Sequence, residues 1–360
     1  MSGFGRNFLP GPTDILPDVL ATLTTPLFSH RSPRMKAMLT AMQPLLQECF
    51  GTRQPVFIAT GSGTALLEAA VRNGVKERVL VAVGGYFGEY FARIAEGCGK
   101  QALRVELHPG SAITPEQLTQ FLEGPAVDAV AVVHSESSTG ALADIEALAR
   151  VVRARPDTLF LVDGVTSVGA MPIEMDRWGV DYYCTGSQKA LALPPGLAIG
   201  AASERFLARA EQQHDAGFYL SVRKMVSIAR EQLPFWTPAM SLYLALDYQL
   251  ARIARAGGWA PRWERHRAML ALLEQWVAAH PELRLLAPAG ARSPAISALM
   301  LPSGRRATDV MSALEQRGYL VGGPLDQRHG SLIRIGHMGD LEPVHLLELL
   351  ATLEQVLFQK

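Results

Sequence analysis

Over roughly a hundred residues the chain alternates short apolar runs with helical spacing, and this alternation restricts the fold more than any other feature. Apolar runs rich in β-branched residues fall at 56–59, 79–83, 102–105, 127–133, 158–162, 180–184 and 197–201. Helical patterns over 65–71, 89–97, 115–122 and 144–153 separate most of them. Strands that read as unbroken apolar runs are buried on both faces. The pattern therefore predicts a mainly parallel sheet with helices on either side.

Open sheets of this kind bind ligands outside the carboxyl ends of their strands. Asp163 closes the run at 158–162, and Thr185-Gly186-Ser187-Gln188-Lys189 follows the run at 180–184. Two neighbouring strand ends would then present a carboxylate and an amine to one crevice. Pyridoxal phosphate chemistry needs that pair: a lysine that forms a Schiff base and an aspartate that keeps the ring nitrogen protonated. After the first run comes Gly61-Ser62-Gly63-Thr64, where small residues open a helix. Such a start suits a phosphate dianion, and it equally suits an ordinary capped helix. Tyr86-Phe87 and Ser137-Ser138-Thr139 mark two further strand ends.

Several other chemistries find no support. The glycines fit neither GxGxxG nor GxxxxGK[ST]. His134-Ser135-Glu136 has the HxE of zinc deaminases without a following PCxxC, and no GxSxG elbow surrounds Ser137 or Ser138. Lys plus Arg and Asp plus Glu number 34 each, with no basic face, which argues against nucleic acid and membrane surfaces as partners. Cys49, Cys98 and Cys184 are scattered in apolar settings, so neither a metal site nor a disulfide framework is expected. With no signal-peptide core or apolar run of membrane-spanning length, a cytoplasmic protein is expected. A hydrophobic content of 48% leans towards an oligomer.

Taken together, the motifs resemble the class V aminotransferases of PLP fold type I, above all the alanine–glyoxylate and serine–pyruvate family. The resemblance rests on Leu9-Pro10-Gly11-Pro12-Thr13, Gly61-Ser62-Gly63-Thr64, Glu136-Ser137-Ser138-Thr139-Gly140, Asp163-Gly164-Val165-Thr166-Ser167, Gly186-Ser187-Gln188-Lys189, Pro194-Pro195-Gly196 and Arg334-Ile335-Gly336. It implies an N-terminal arm over 1–20, a large α/β domain over 21–257 with a seven-stranded, mainly parallel sheet, and a small α+β domain over 258–360. It also implies a homodimer with shared active sites, acting on a small amino acid and a 2-oxo acid.

Residue by residue, the resemblance makes Lys189 the Schiff-base lysine and Asp163 the partner of the pyridine nitrogen. Ser62, Gly63 and Thr64 bind the phosphate, with Gln188 beside it. Phe87 stacks on the ring of the cofactor, and Ser137 bonds its hydroxyl side. Thr237 reaches the phosphate of the neighbouring subunit, although Pro234 replaces the family's tyrosine three residues earlier. Gly11 lines the carboxylate side of the pocket, and Arg334 grips the substrate carboxylate. For Arg334 the residues alone leave a second option, a salt bridge to an internal carboxylate. Arg34-Met35 departs from the acidic residue and phenylalanine of many relatives, through loop drift or altered specificity. The rival readings are a desulfurase-like lyase, which needs a mobile exposed cysteine, and a catalytically silent binding module.

Overall fold

The computed structural model describes residues 6–213, 216–325 and 330–358. Residues 1–5 of the expected arm, and 326–329 and 359–360 of the expected small domain, lie outside that set. In chain order the strands are β1 (Arg6–Phe8), β2 (Phe57–Thr60), β3 (Arg78–Val83), β4 (Gln101–Glu106), β5 (Ala129–Val133), β6 (Ser135–Glu136) and β7 (Ala141–Leu142). They continue with β8 (Leu159–Asp163), β9 (Tyr182–Gly186), β10 (Leu197–Ala202), β11 (Arg284–Leu285), β12 (Ile296–Met300), β13 (Tyr319–Val321) and β14 (Leu332–Gly336).

The seven expected strands form one sheet in the order β2-β10-β9-β8-β5-β3-β4. Its neighbours are parallel except around β10, which runs antiparallel to both β2 and β9. Only residues 187–196 separate β9 from β10, too few for a parallel crossover, which takes a dozen or more. Alternate side chains serve opposite faces. Leu80, Val130, Phe160, Val162 and Ile199 pack with Met35, Leu39, Leu148 and Leu246. Val79, Val81, Leu159, Leu161 and Tyr182 pack with Leu66, Phe91, Phe206 and Met225 on the other face.

A third core surrounds the antiparallel sheet β11-β12-β14, where Leu299, Ile333 and Ile335 meet Leu273, Leu314 and Leu350. Strand β1 pairs in parallel with β13 (Phe8 opposite Val321), so Phe8 is buried in that core. The chain then carries Leu9 to Thr13 from this core to the end of β9, where the Thr13 N–H donates to the Gln188 carbonyl (3.1 Å).

One helix begins earlier than its local sequence suggests. The spacing predicts a start near Glu89, whereas the helix spans Tyr86–Gly97. The cause lies outside the segment. The Glu136 carboxylate accepts from the Phe87 and Gly88 N–H groups (both 3.0 Å), and Ser138 Oγ accepts from that of Tyr86 (2.9 Å). These acceptors satisfy the orphan donors of the first turn.

Candidate active site

Lys189 lies in the tight connection between β9 and β10. Ser187 organises the connection, its Oγ donating to Pro194 O (2.6 Å) and accepting from the Leu197 N–H (3.2 Å). The lysine is 8% exposed, its Nζ donates to the Pro10 carbonyl, and the Phe87 ring centroid lies 6.0 Å away. Burial, aided by the positive charge of Arg334, lowers the amine from its usual range to about 8. Gly11 fits against this side chain because it has none of its own: a Cβ there would stand 2.7 Å from Lys189 Cδ, and its φ of +112° suits glycine.

Asp163 ends β8 and is 4% exposed, with Oδ1 accepting from the Val165 N–H (2.8 Å). Burial raises its carboxyl to about 6, against the opposing pull of that hydrogen bond. Across the same cavity, of about 290 Å³, lies the N-terminus of the helix Gly63–Gly74. Ser62 occupies the cap position, yet its side chain accepts no hydrogen bond from the helix. A Cβ on Gly63 would lie 2.6 Å from Val165 Cγ2, so the close approach of these two segments requires glycine. Gln188 Oε1 is buried with no partner among the described residues, which is costly unless something bound meets it. An uncapped helix start, an unsatisfied carboxamide, and a facing carboxylate and amine together suit a phosphorylated pyridine aldehyde.

Gly11, Ser62, Gly63, Thr64, Phe87, Ser137, Asp163, Gln188 and Lys189 all line this one cavity. Arg334 and Thr237 do not. Residues 29–323 match the family model described as aminotransferase class-V. The chain is a class V aminotransferase. Pyridoxal phosphate is the cofactor that this membership carries with it.

Known class V enzymes align with this aminotransferase over nearly its whole length. It is 32% identical to the L-aspartate–glyoxylate aminotransferase of Paracoccus denitrificans, the alignment covering 97% of this chain and 90% of that protein. The serine–glyoxylate aminotransferase of Methylorubrum extorquens is 31% identical, with 98% and 91% covered. The crystal structure of an alanine–glyoxylate aminotransferase from Nostoc sp. superposes with a TM-score of 0.92 at 30% identity, covering 99% of this chain and 96% of that one.

In this aminotransferase Arg334 sits in β14, with Nε donating to Gly323 O (2.7 Å) and Nη1 to Ser137 O (3.1 Å). It makes no ion pair among the described residues, so the internal salt bridge is not found there. Burial lowers the guanidinium to about 10, with the charge of Glu136 pulling the other way. The arginine therefore stands directly behind Ser137. Thr237 is exposed at a bend and does not line the cavity.

Glu136 is the group that residue-by-residue reading overlooks. Besides the Phe87 and Gly88 amides, its carboxylate accepts from Ser138 N (3.0 Å) and Ser138 Oγ (2.6 Å). It thereby joins the Phe87 helix to the Ser137 loop. A carboxylate three residues beyond the apolar run at 127–133 is the signal that could have revealed it. Thr166 is a second omission, with Oγ1 donating to Ser137 Oγ (3.4 Å).

The cysteines do not serve a desulfurase. Cys49 and Cys184 are buried, Cys98 is half-buried, and none lines the cavity. Burial pushes the Cys49 and Cys184 thiols up, away from the reactive thiolate. Arg34 and Met35, read from the sequence as part of a loop, lie in the first turn of the helix Pro33–Phe50, where Arg34 stacks on Phe28 (4.2 Å to the centroid) and Met35 is fully buried in the core. Among the described residues no helix is long and apolar enough to cross a membrane.

Proposed function

We propose that the protein moves the amino group of a small α-amino acid, alanine or serine, to a 2-oxo acid such as glyoxylate or pyruvate. The transfer runs by a ping-pong cycle of two half-reactions in one site. The observation that carries the reading is a buried amine sharing a small cavity with Asp163, with an arginine free of ion pairs among the described residues just behind it. Bound pyridoxal phosphate would supply the electron sink that lets the substrate's Cα–H bond ionise.

The chain's own residues do the rest. Ser62, Gly63 and Thr64 hold the phosphate at a helix N-terminus, where free N–H groups and the dipole favour a dianion. Asp163 would hold the ring nitrogen protonated, and its burial would strengthen that charge pairing. Phe87, on the wall of the same cavity, would pack against the cofactor ring. Lys189, once its amine is free, would take the proton from the substrate Cα and deliver it to the carbon that was the cofactor's aldehyde, reaching both atoms from the same side. Arg334 binds the substrate carboxylate, its planar fork fixing both position and plane.

The cycle is tested by mixing the cofactor-loaded enzyme with one amino acid at a time and following its visible absorbance. Alanine or serine should bleach the band, and glyoxylate or pyruvate should restore it. If neither donor acts while another amino acid does, the substrate assignment fails and the reaction class stands.

Thr237 we assign to the site of a second copy of the chain. Support comes from its exposure and from the apolar side chains laid open on the protomer, Phe218 at 67% and Leu27 at 63% among them. Light scattering should report a dimer, and Thr237→Ala should weaken pyridoxal phosphate binding. A stable monomer with full turnover would reject the shared site.

A further inference from the structure

The peptide carbonyls of Gln188, Lys189, Ala190 and Leu191 are all held by groups from distant parts of the chain. Thr13 takes the first two, through its N–H (3.1 Å) and Oγ1 (3.2 Å). Arg262 forks onto Ala190 O with Nε (3.1 Å) and Nη2 (2.6 Å). Gln249 Nε2 binds Leu191 O (2.9 Å). Arg262 and Gln249 come from different helices, Trp259–Ala278 and Met240–Arg255, and both end on one carboxylate. Asp340 accepts from Arg262 Nη1 (2.7 Å) and from Gln249 Nε2 (3.0 Å).

We infer that Asp340, acting through Arg262 and Gln249, is a positioning residue that fixes the backbone of Lys189 and so the direction of its amine. The inference rests on Lys189 being the reactive lysine. Two features distinguish this arrangement from an ordinary staple between helices. Both donors pass beyond the carboxylate to the two carbonyls immediately after the lysine. The loop they hold also needs holding, since Ala192 adopts φ 52°, a left-handed conformation that costs a non-glycine residue energy.

Asp340 is well suited to a permanent role. Burial opposes its charge, yet Arg262, Gln249 and Arg252 (3.3 Å) keep its carboxyl at about 2. Arg265 stands 3.9 Å away and spends its hydrogen bonds on Glu342 (3.0 Å) and Gly339 O (2.9 Å). Arg265 makes no hydrogen bond to the lysine loop, which makes it the natural control.

The test uses full-length Asp340→Asn, which keeps shape and removes charge, and Arg262→Lys, which keeps charge and removes the fork. Cofactor-free protein is mixed with pyridoxal phosphate, and the product at Lys189 is trapped with borohydride and quantified by peptide mapping. Both variants should trap at least tenfold more slowly. Both should also lose at least tenfold in kcat with KM changed less than threefold. Arg265→Gln should melt lower but trap and turn over within twofold of the parent.

Trapping and kcat within twofold in either folded latch variant would overturn the proposal, as would equal losses in Arg265→Gln. If both latch variants fail to fold while Arg265→Gln folds, the network is a fold determinant and the proposal is likewise overturned. Borohydride label on another lysine of the unaltered protein would instead reject the underlying role of Lys189.

Discussion

Glu136→Gln isolates a contribution that no local reading supplies. The carboxylate accepts four hydrogen bonds: Oε2 takes Phe87 N and Gly88 N at 3.0 Å, and Oε1 takes Ser138 N at 3.0 Å and Ser138 Oγ at 2.6 Å. A glutamine keeps one acceptor oxygen and turns an NH₂ towards the other pair of donors. If the oxygen stays with Ser138, the two helix amides lose their acceptor and face a donor. Each hydrogen bond to a charged group contributes about 1.5–3 kcal/mol, so the loss is about 3–6 kcal/mol, in the first turn of the Phe87 helix. Gly85 offers little room to adjust, since a Cβ there would already fall 2.3 Å from Ser138 Oγ. The first turn should therefore fray and withdraw Phe87 from the cavity. Calorimetry should show a fall in Tm of about 4–8 °C. Equilibrium dialysis should show pyridoxal phosphate bound at least roughly tenfold more weakly. A variant whose Tm falls by less than about 2 °C, with cofactor affinity within about twofold, would refute the clasp.

Three further outcomes follow from the same geometry. Gly11→Ala places a methyl against Lys189 Cδ and strains φ +112°, so borohydride labelling of Lys189 should fall sharply while far-UV circular dichroism is retained. In cofactor-free protein the folded pKa of Lys189, about 8, lies below its unfolded value, so its stability contribution is present above about 10.5 and is lost as pH falls through about 8. Lys189→Met should remove that slope from denaturant titrations, and a slope of opposite sign would contradict the burial argument. Arg334→Lys should lower kcat/KM for the amino donor roughly a hundredfold and leave the absorbance of bound cofactor unchanged; an unaffected half-reaction would move the carboxylate site elsewhere.

Much of the site was legible because its residue types and their strand-end positions are local facts. Lys189, Asp163 and Ser62–Thr64 each follow an apolar run that could only be a buried strand, and parallel strands deliver such residues to one edge. Arg334 was legible as a candidate, but its two options were not separable from the chain alone. The absence of an ion pair among the described residues, and the contact with Ser137 O, depend on residues 197 positions apart. The direction of β10 follows from a short connection, whereas β11 and β13 are two and three residues long and show no usable period.

What the chain by itself determines is the set of groups, since amphipathic period, strand-end position and residue chemistry are all written within about ten neighbouring residues. What only the tertiary structure decides is how those groups are held. Glu136 caps a helix 49 residues upstream, Thr13 grips the lysine from 176 residues away, and Asp340 reaches the lysine loop through Arg262 and Gln249. Local propensities end a few residues away, so such bonds have no sequence period. They form only when separate elements, folded for other reasons, leave a buried donor facing a buried acceptor.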